Sequence, residues 1–266
     1  MTEKENTVFE DEQEYDNGFR PKEVVLPNNY VFYPRKWYRR LFNFIIIAFT
    51  AFITFFLKRV LWGYKVTGKK NFKKHPKGNV LVSNHVLQQD CFCIATLFWT
   101  KRLYITMLQS NLGFGIVSKY MRLGGGVPIP TNPKMFVRFC KETKNVIARG
   151  GNILVYPEAK LVPYCSHIRP FMPGAFHFAY QSNATIIPIC ITFHKPRGLY
   201  RLYKKKPCIH LNILEPYKIT KLDNRQEGIK KIENDIHEIM TKYFNENNEI
   251  SYKKYKPKLS KKDSKK

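Results

Sequence analysis

Residues 80–90 of the chain read VLVSNHVLQQD, an apolar run that ends abruptly in polar side chains. The part at 80–83 is short, uninterrupted and bounded by polar residues, which is typical of a strand buried inside a sheet. A stretch that can form a helix follows at 90–100. This order predicts a strand–helix unit with the polar residues on its connection.

The same alternation continues along the chain. Four further apolar runs indicate buried strands, namely RLYITM at 102–107, NILVY at 152–156, TIIPICIT at 185–192 and CIHLNIL at 208–214. Helical stretches separate them at 112–122, 133–149 and 174–182, and isoleucines at three- and four-residue steps predict a final amphipathic helix at 229–244. We therefore predict an α/β fold, a mixed, mainly parallel sheet flanked by helices.

A run without any charge, LFNFIIIAFTAFITFFL at 41–57, predicts an N-terminal membrane-associated hydrophobic helix ahead of this sheet. Its seventeen residues would reach roughly 26 Å as a helix, short of the ~30 Å hydrocarbon core of a bilayer. A spanning helix usually has a basic bias on one side only, whereas here both flanks are basic. The flanking residues are Arg35, Lys36, Arg39, Arg40, Lys58, Arg59, Lys65, Lys69 and Lys70, with Trp37, Tyr38 and Trp62 as aromatic neighbours. We favour a helix that dips into one leaflet over one that spans, and a buried core helix is the third alternative.

Composition divides the chain into four parts. Residues 1–26 are acidic and lack apolar periodicity, which predicts disorder. Residues 27–66 form the predicted membrane anchor, 67–250 the α/β domain with its C-terminal amphipathic helix, and 251–266 a tail with eight lysines and one acid. The six cysteines form no CxxC pair, and no secretory signal begins the chain, so we expect reduced thiols, no metal site and a location on the cytoplasmic face of the cell membrane.

The excess of basic residues bears on partners. The chain holds 46 Lys plus Arg against 20 Asp plus Glu, a formal net charge of +26. Nucleic acid, anionic lipid headgroups and acidic carriers would all be attracted to such a surface, and a solvated cationic surface without a dedicated partner is the alternative. The apolar run at 41–57 disfavours a nucleic-acid-binding protein, so we expect membrane lipids as partners and no nucleic acid.

The candidate chemistry begins directly after the first strand. His85 precedes Asp90 by five positions, so that the turn between strand and helix can bring them together. A neutral imidazole can accept a hydroxyl proton, and a carboxylate on its other nitrogen would fix the tautomer and stabilise the imidazolium. The alternative is structural, with Asp90 at a helix N-terminus and His85 filling a turn.

A second polar element follows the strand at 152–156, where α/β proteins place ligands. It reads Tyr156-Pro157-Glu158, and Arg169-Pro170, Gly174-Ala175-Phe176 and Ile187-Pro188-Ile189 come after it. The order NHxxxxD, proline-glutamate, then an isoleucine-proline strand resembles the glycerolipid acyltransferase family over residues 60–220. The best-known members of that family are the 1-acyl-sn-glycerol-3-phosphate (lysophosphatidic acid) acyltransferases, and the longer segment up to residues 174–176 resembles a divergent bacterial branch.

The resemblance implies an O-acyltransferase. His85 would be the general base on the acceptor hydroxyl and Asp90 its orienting carboxylate, with Pro188 on the acyl-donor side. Direct transfer is implied, without a covalent enzyme intermediate, a metal or a resident cofactor, from acyl-CoA, acyl carrier protein or acyl phosphate as co-substrate. The substrate-binding residues implied or suggested here are Asn84, Tyr156, Pro157, Glu158, Lys160, Arg169 and Gly174.

Two departures from the family pattern concern the acceptor. The usual glycine, threonine and arginine after proline-glutamate are replaced by Ala159, Lys160 and Leu161, and the stretch GGGVPIP at 124–130 ends in proline where the family has arginine. Both arginines expected to hold an acceptor phosphate are thus absent, and Lys160 and Arg169 are the possible substitutes. We expect transfer to a lysophospholipid, most plausibly 1-acyl-glycerol-3-phosphate to give phosphatidic acid. The alternative is a lipid-binding member of the same fold whose chemistry is lost or altered.

Overall fold

The computed structural model describes residues 22–34, 38, 41, 42, 44–46, 48–50, 52, 53, 63–75, 77–98, 102–172 and 174–250. Their centre is one seven-stranded sheet with the strand order β1-β7-β6-β2-β5-β3-β4. The strands are β1 (Lys65–Thr67), β2 (Asn79–Ser83), β3 (Leu103–Leu108), β4 (Gly126–Ile129), β5 (Asn152–Val155), β6 (Thr185–His194) and β7 (Cys208–Ile213). Within this part of the chain β7 runs antiparallel to β6, and the other neighbouring strands pair in parallel. The predicted mixed, mainly parallel sheet is confirmed.

Helices cover both faces of the sheet. They are α1 (Lys69–Lys74), α2 (Asp90–Leu97), α3 (Ile116–Leu123), α4 (Pro133–Ala148), α5 (Gly174–Ser182), α6 (Tyr200–Tyr203) and α7 (Arg225–Asn247), with a 3-10 turn at Gln109–Gly113. Residues of α4, α5 and α7 pack on one face against Val80, Val82 and Ile153. On the opposite face, α1 and α2 pack against Leu81 and Leu154. Alternate residues of the central strands therefore enter two different cores, which explains why these strands read as continuous apolar runs.

Two of the longer helices begin at asparagine caps. The Asn132 side chain accepts hydrogen bonds from the amides of Lys134 and Met135 at 3.0 and 3.2 Å, and Pro133 occupies the first helical position of α4. Asn224 accepts from the amide of Gln226 at 2.9 Å at the start of α7. These caps satisfy amides that the first helical turn leaves without a partner.

The segment before the sheet is divided between core and surface. Leu26, Phe32 and Tyr33 are buried against α4, and the Tyr33 hydroxyl lies 2.6 Å from Thr143 Oγ1. Those of residues 38–53 that the structure describes are helical, and most of their apolar side chains are exposed. In the described part of the chain, no helix combines the length and the apolar character that crossing a bilayer requires. Of residues 1–26, predicted to be disordered, positions 1–21 lie outside the described residues. The lysine tail at 251–266 and positions 35–37, 39, 40, 43, 47, 51 and 54–62 of the predicted anchor lie outside them as well.

On the side that faces β2, the outer end of β6 is completed by side chains, while β7 pairs with its other side as far as His194. Beyond the end of β2, Asn84 Oδ1 accepts from the Ile191 amide at 2.8 Å, and Asn84 Nδ2 donates to the Ile191 carbonyl at 3.0 Å. Two residues farther along, the Phe193 amide donates to Asn248 Oδ1 at 2.8 Å. The two asparagines thereby replace main-chain partners at the edge of the sheet where the parallel strands end.

Candidate active site

Asn84 determines how the chain leaves β2. Its side chain is fully buried, and its amide takes the place that the next residue of a strand would occupy beside Ile191. The main chain is therefore released from strand pairing at His85, which lies on the connection to α2. Asn84 acts on His85 by positioning it, and its own amide is occupied by the β6 main chain.

The structure brings His85 and Asp90 into contact. His85 Nδ1 lies 2.8 Å from Asp90 Oδ2, and the same oxygen accepts the amides of Val86 and Leu87 at 3.2 and 3.4 Å. The Asp90 side chain is 0% exposed, and the His85 ring is 23% exposed. With Nδ1–H donated to the carboxylate, Nε2 of a neutral ring carries the lone pair. The geometry is that of a base and its orienting group, as the five-residue spacing predicts.

Tyr156 packs against one face of the His85 imidazole. Its ring stacks on His85 with 4.2 Å between the centroids and 23° between the planes. Burial raises the pKa of the Tyr156 phenol well above its ordinary value, and the nearby Asp90 carboxylate adds to the effect. The hydroxyl and Asp90 Oδ1 are both buried, and the interaction of the phenol with the Asp90 side chain is one of the causes of the raised pKa. Tyr156 therefore stays protonated and holds the imidazole plane.

Glu158 and Arg169 form a buried ion pair behind His85. Glu158 Oε2 lies 2.7 Å from the Arg169 guanidinium and also accepts the His85 amide at 3.1 Å, while Oε1 accepts the Arg169 amide at 3.1 Å. The guanidinium also donates to the Lys160 carbonyl. Arg169 thus returns to the site from eleven residues downstream. Both oxygens of Glu158 are engaged within the protein, so this carboxylate braces His85 in the present structure.

The segment after the Tyr156-Pro157-Glu158 turn lies along the chain next to His85. The Val162 amide donates to the His85 carbonyl at 3.2 Å, and the Tyr164 amide donates to the Val86 carbonyl at 3.0 Å. Ala159 has a φ of 60°, in the left-handed region. For a residue with a side chain this conformation is unfavourable by about 1–2 kcal/mol, which gives a physical reason for the glycine that the family carries at this position.

The remaining predicted residues lie at different distances from this network. Pro157 is buried in the turn, and its carbonyl accepts the Met172 amide at 2.8 Å. Lys160 is exposed one residue beyond Ala159. Gly174 begins α5, outside the hydrogen-bonded network around His85. Sequence reasoning missed the contributions of Val162 and Tyr164, because main-chain amides leave no signal in residue identity.

No group of three or more His, Cys, Asp or Glu side chains is arranged to hold a metal in the part of the chain that the structure describes. The polar groups gathered at this edge are a histidine–aspartate pair, a stacked tyrosine and a neutralised carboxylate. Such an arrangement can take a proton from a hydroxyl and hold the resulting imidazolium.

Comparisons with known proteins agree with this geometry. The sequence model of the Acyltransferase family matches residues 63–192, which include every residue of the network described above. Among solved structures, the chain is similar to the 1-acyl-sn-glycerophosphate (LPA) acyltransferase PlsC from Thermotoga maritima, with a TM-score of 0.56 and 19% identity over 81% of this chain and 84% of that chain. At this identity the likeness establishes the fold. None of the proteins with curated functions matches the chain. The family resemblance indicated by the motifs is confirmed, and residues 63–192 form a domain that matches the Acyltransferase family.

Proposed function

We propose that the protein transfers a fatty acyl group from an acyl thioester or acyl phosphate to the hydroxyl of a lysophospholipid, with 1-acyl-glycerol-3-phosphate as the preferred acceptor and phosphatidic acid as the product. The observation that carries the proposal is the contact of 2.8 Å between His85 Nδ1 and the buried Asp90. It lies within an acyltransferase domain, at the carboxyl end of a central strand.

Each step of the transfer has a group to perform it. His85 Nε2 takes the proton of the acceptor hydroxyl as the oxygen attacks the acyl carbonyl carbon, and Asp90 stabilises the imidazolium that forms. When the tetrahedral intermediate collapses, the bond from the acyl carbon to the thioester sulfur, or to the phosphate oxygen of an acyl phosphate, breaks. The imidazolium gives its proton to the departing thiolate or phosphate oxygen, which restores the neutral ring.

The acceptor phosphate needs a cation, and the two candidates, Lys160 and Arg169, differ in burial and in charge pairing. Arg169 is buried and its charge is matched by Glu158. Lys160 is exposed beside the Tyr156-Pro157-Glu158 turn. A lysine binds phosphate as a point charge without the two-bond geometry of a guanidinium. We assign the acceptor phosphate to Lys160 and a bracing role to Arg169.

The acceptor is a membrane lipid, so the proposed location is the cytoplasmic face of the cell membrane. Exposed apolar side chains on the described helical residues between 38 and 53 support attachment there, because such a surface is unfavourable in water. The excess of basic residues suits an anionic donor, whether acyl-CoA, acyl carrier protein or acyl phosphate.

The test is a matrix of donors and acceptors. Purified protein is incubated with labelled acyl-CoA, acyl carrier protein or acyl phosphate and with lysophosphatidate, lysophosphatidylglycerol, lysophosphatidylcholine or monoacylglycerol, and products are identified by mass spectrometry. We expect transfer to lysophosphatidate and none with His85→Ala. Transfer to monoacylglycerol alone would reject a phosphate-bearing acceptor, and no transfer to any acceptor would favour the alternative, a lipid-binding protein without this chemistry. The intact His85–Asp90 contact disfavours that alternative.

A further inference from the structure

The connection between β6 and β7, residues 195–207, lies at the same edge of the sheet as His85. β6 runs parallel to β2, and Asn84 at the end of β2 contacts Ile191. β6 continues from there to His194, which extends it by about 10 Å at ~3.3 Å per residue. The connection therefore projects past the level of the candidate catalytic histidine.

Two leucines on this connection face solvent. Leu199 directly precedes the single turn of α6 and Leu202 lies within it, three residues apart and so on one side of the turn. Their exposed fractions are 78% and 83%. Gly198, with a φ of 59°, starts the turn and accepts the Arg201 amide at 3.0 Å. An apolar pair held outward in this way marks an interaction surface.

The same connection is strongly basic. It contains no carboxylate between residues 195 and 207, and its six basic side chains are Lys195, Arg197, Arg201, Lys204, Lys205 and Lys206. Glu249, at the end of α7, lies 2.8 Å from the Arg197 guanidinium and accepts the Lys195 amide at 3.1 Å. Residues 195–206 therefore carry a large excess of basic over acidic side chains.

We propose that residues 195–206, the α6 surface, dock on an anionic lipid bilayer, with Leu199 and Leu202 among the acyl chains and the basic side chains against headgroup phosphates. Exposed leucines within a ring of lysine and arginine match the two layers of a bilayer surface. A nucleic acid would bind the basic side chains but offers no apolar layer for the two leucines. The α6 surface adds a second contact to that of the described helical residues between 38 and 53, and it lies at the edge of the sheet that carries His85.

Binding of the purified full-length protein to vesicles tests the proposal. We expect Leu199→Ser with Leu202→Ser to weaken binding to phosphatidylglycerol vesicles at least tenfold, about 1.4 kcal/mol, and to raise the KM for vesicle-borne acceptor. The matched control is Val137→Ser, since Val137 is 70% exposed on α4 beside Lys134 and Arg138. Lipids with brominated acyl chains should quench the tryptophan fluorescence of the Leu202→Trp variant more strongly than that of the parent. The Val137→Trp variant should show no such added quenching.

The outcomes separate the partners. Unchanged vesicle affinity in the double variant, or no added quenching in Leu202→Trp, would show that α6 does not enter a bilayer and would overturn the proposal. The double variant could instead bind vesicles normally but lose transfer from acyl carrier protein selectively. That result would show that the α6 surface binds an acidic protein donor, and it would also overturn the proposal. The inference rests on the proposed function for its lipid substrate. Activity on detergent-dispersed acceptor is therefore measured in parallel. Absence of that activity would contradict the proposed function, whereas the quenching of Leu202→Trp fluorescence tests docking on the bilayer independently.

Discussion

At the scale of single residues, the His85–Asp90 contact places the proton acceptor and its counter-charge on opposite sides of one ring. Of the two ring nitrogens of His85, only Nδ1 makes a hydrogen bond to another of the described residues. The Asp90 carboxylate also accepts two main-chain amides. The pair is thus fixed before substrate arrives. An asparagine at 90 could keep the amide contacts but would offer no charge to the imidazolium.

We expect His85→Ala to lower kcat by about 10²–10⁴-fold, the usual contribution of general-base assistance. Asp90→Asn should also lower kcat with little change in the acceptor KM, because it acts through the ring. Steady-state kinetics on detergent-dispersed acceptor measure both, and circular dichroism controls for folding. Activity of His85→Ala within a few-fold of the parent would refute the role assigned to His85.

Substitution of Arg169 should lower the stability of the protein, whereas substitution of Lys160 should raise the acceptor KM. Arg169→Ala leaves the buried Glu158 charge without its partner, and breaking such a pair is destabilising by about 3–5 kcal/mol. Lys160→Ala should leave stability within ~0.5 kcal/mol but raise the acceptor KM roughly tenfold, because a charge-assisted bond is worth about 1.5–3 kcal/mol.

Chemical denaturation and acceptor titration separate the two effects. The control for the ion pair is Glu158→Gln together with Arg169→Gln, which removes both charges and should recover part of the stability lost in Arg169→Ala. An Arg169→Ala protein of parental stability with a raised acceptor KM would reverse the two assignments and make Arg169 the phosphate ligand.

At the scale of elements, the sequence predicts what repeats over many residues. The strands at 80–83, 152–156 and 185–192 are uninterrupted, mainly apolar runs, and the structure confirms them as β2, β5 and β6. β1, β4, α1 and α6 were missed. β1 has three residues and exists through its pairing with β7, and α6 is a single turn. Neither has the length for a local pattern to appear.

The candidate site was predictable to the same degree. The spacing of His85 and Asp90 and the return of Arg169 were visible in the sequence, since a turn and a loop limit where those side chains can reach. The binding of Glu158 to the His85 amide was not visible, because it depends on how residues 161–168 lie beside residues 85–86. Which partner a buried carboxylate selects is decided by tertiary packing.

The β6–β7 pair should make stability depend on pH. Burial, the stacked His194 ring and Lys65 lower the pKa of His210 to about 4, against the opposing effect of Glu249. Between pH 6.5, the ordinary histidine pKa, and about pH 4, His210 binds a proton in the unfolded chain but not in the folded protein. The contribution of His210 to stability is therefore complete above pH 6.5 and is lost as the pH falls toward 4.

His210→Gln measures this contribution. Allowing for solvent screening of a half-buried ring, we expect the loss in unfolding free energy between pH 7 and pH 4.5 to shrink by about 1–2 kcal/mol in the variant. Denaturant titrations at both pH values provide the comparison, and the value at pH 7 serves as the reference for any packing change. An identical loss in parent and variant would show that His210 does not contribute.

At the scale of the whole molecule, the candidate catalytic residues and the proposed docking surface lie near each other. His85, the Tyr156-Pro157-Glu158 turn and the α6 surface all lie at the edge where the parallel strands end. The described helical residues between 38 and 53 join this body through the Thr50 and Tyr120 hydroxyls, 2.7 Å apart. The proposed chemistry and the α6 surface proposed to dock on lipid thus lie at one edge of the sheet.

We expect the protein to sediment with membranes and to stay there in 1 M salt. At this concentration the Debye length is about 3 Å, so attachment by charge alone would be screened, whereas apolar insertion through residues 41–57 would persist. Sedimentation with and without salt measures this, and detergent should release the protein. Release of most of the protein by salt would show that residues 41–57 are not an anchor.

The two asparagines that complete β6 have a consequence for amide hydrogen exchange. Ile191 and Phe193 donate their amides to the side chains of Asn84 and Asn248, so either amide can become exposed through a local opening, without separation of the strands. Exchange at Ile191 then reports how often the chain around His85 opens, and exchange at Phe193 reports how often the end of α7 leaves β6. A bound lysolipid that orders the site should slow exchange at Ile191 and leave exchange at Phe193 unchanged, so that two protons on one strand record separately the motion of the catalytic loop and that of the C-terminal helix.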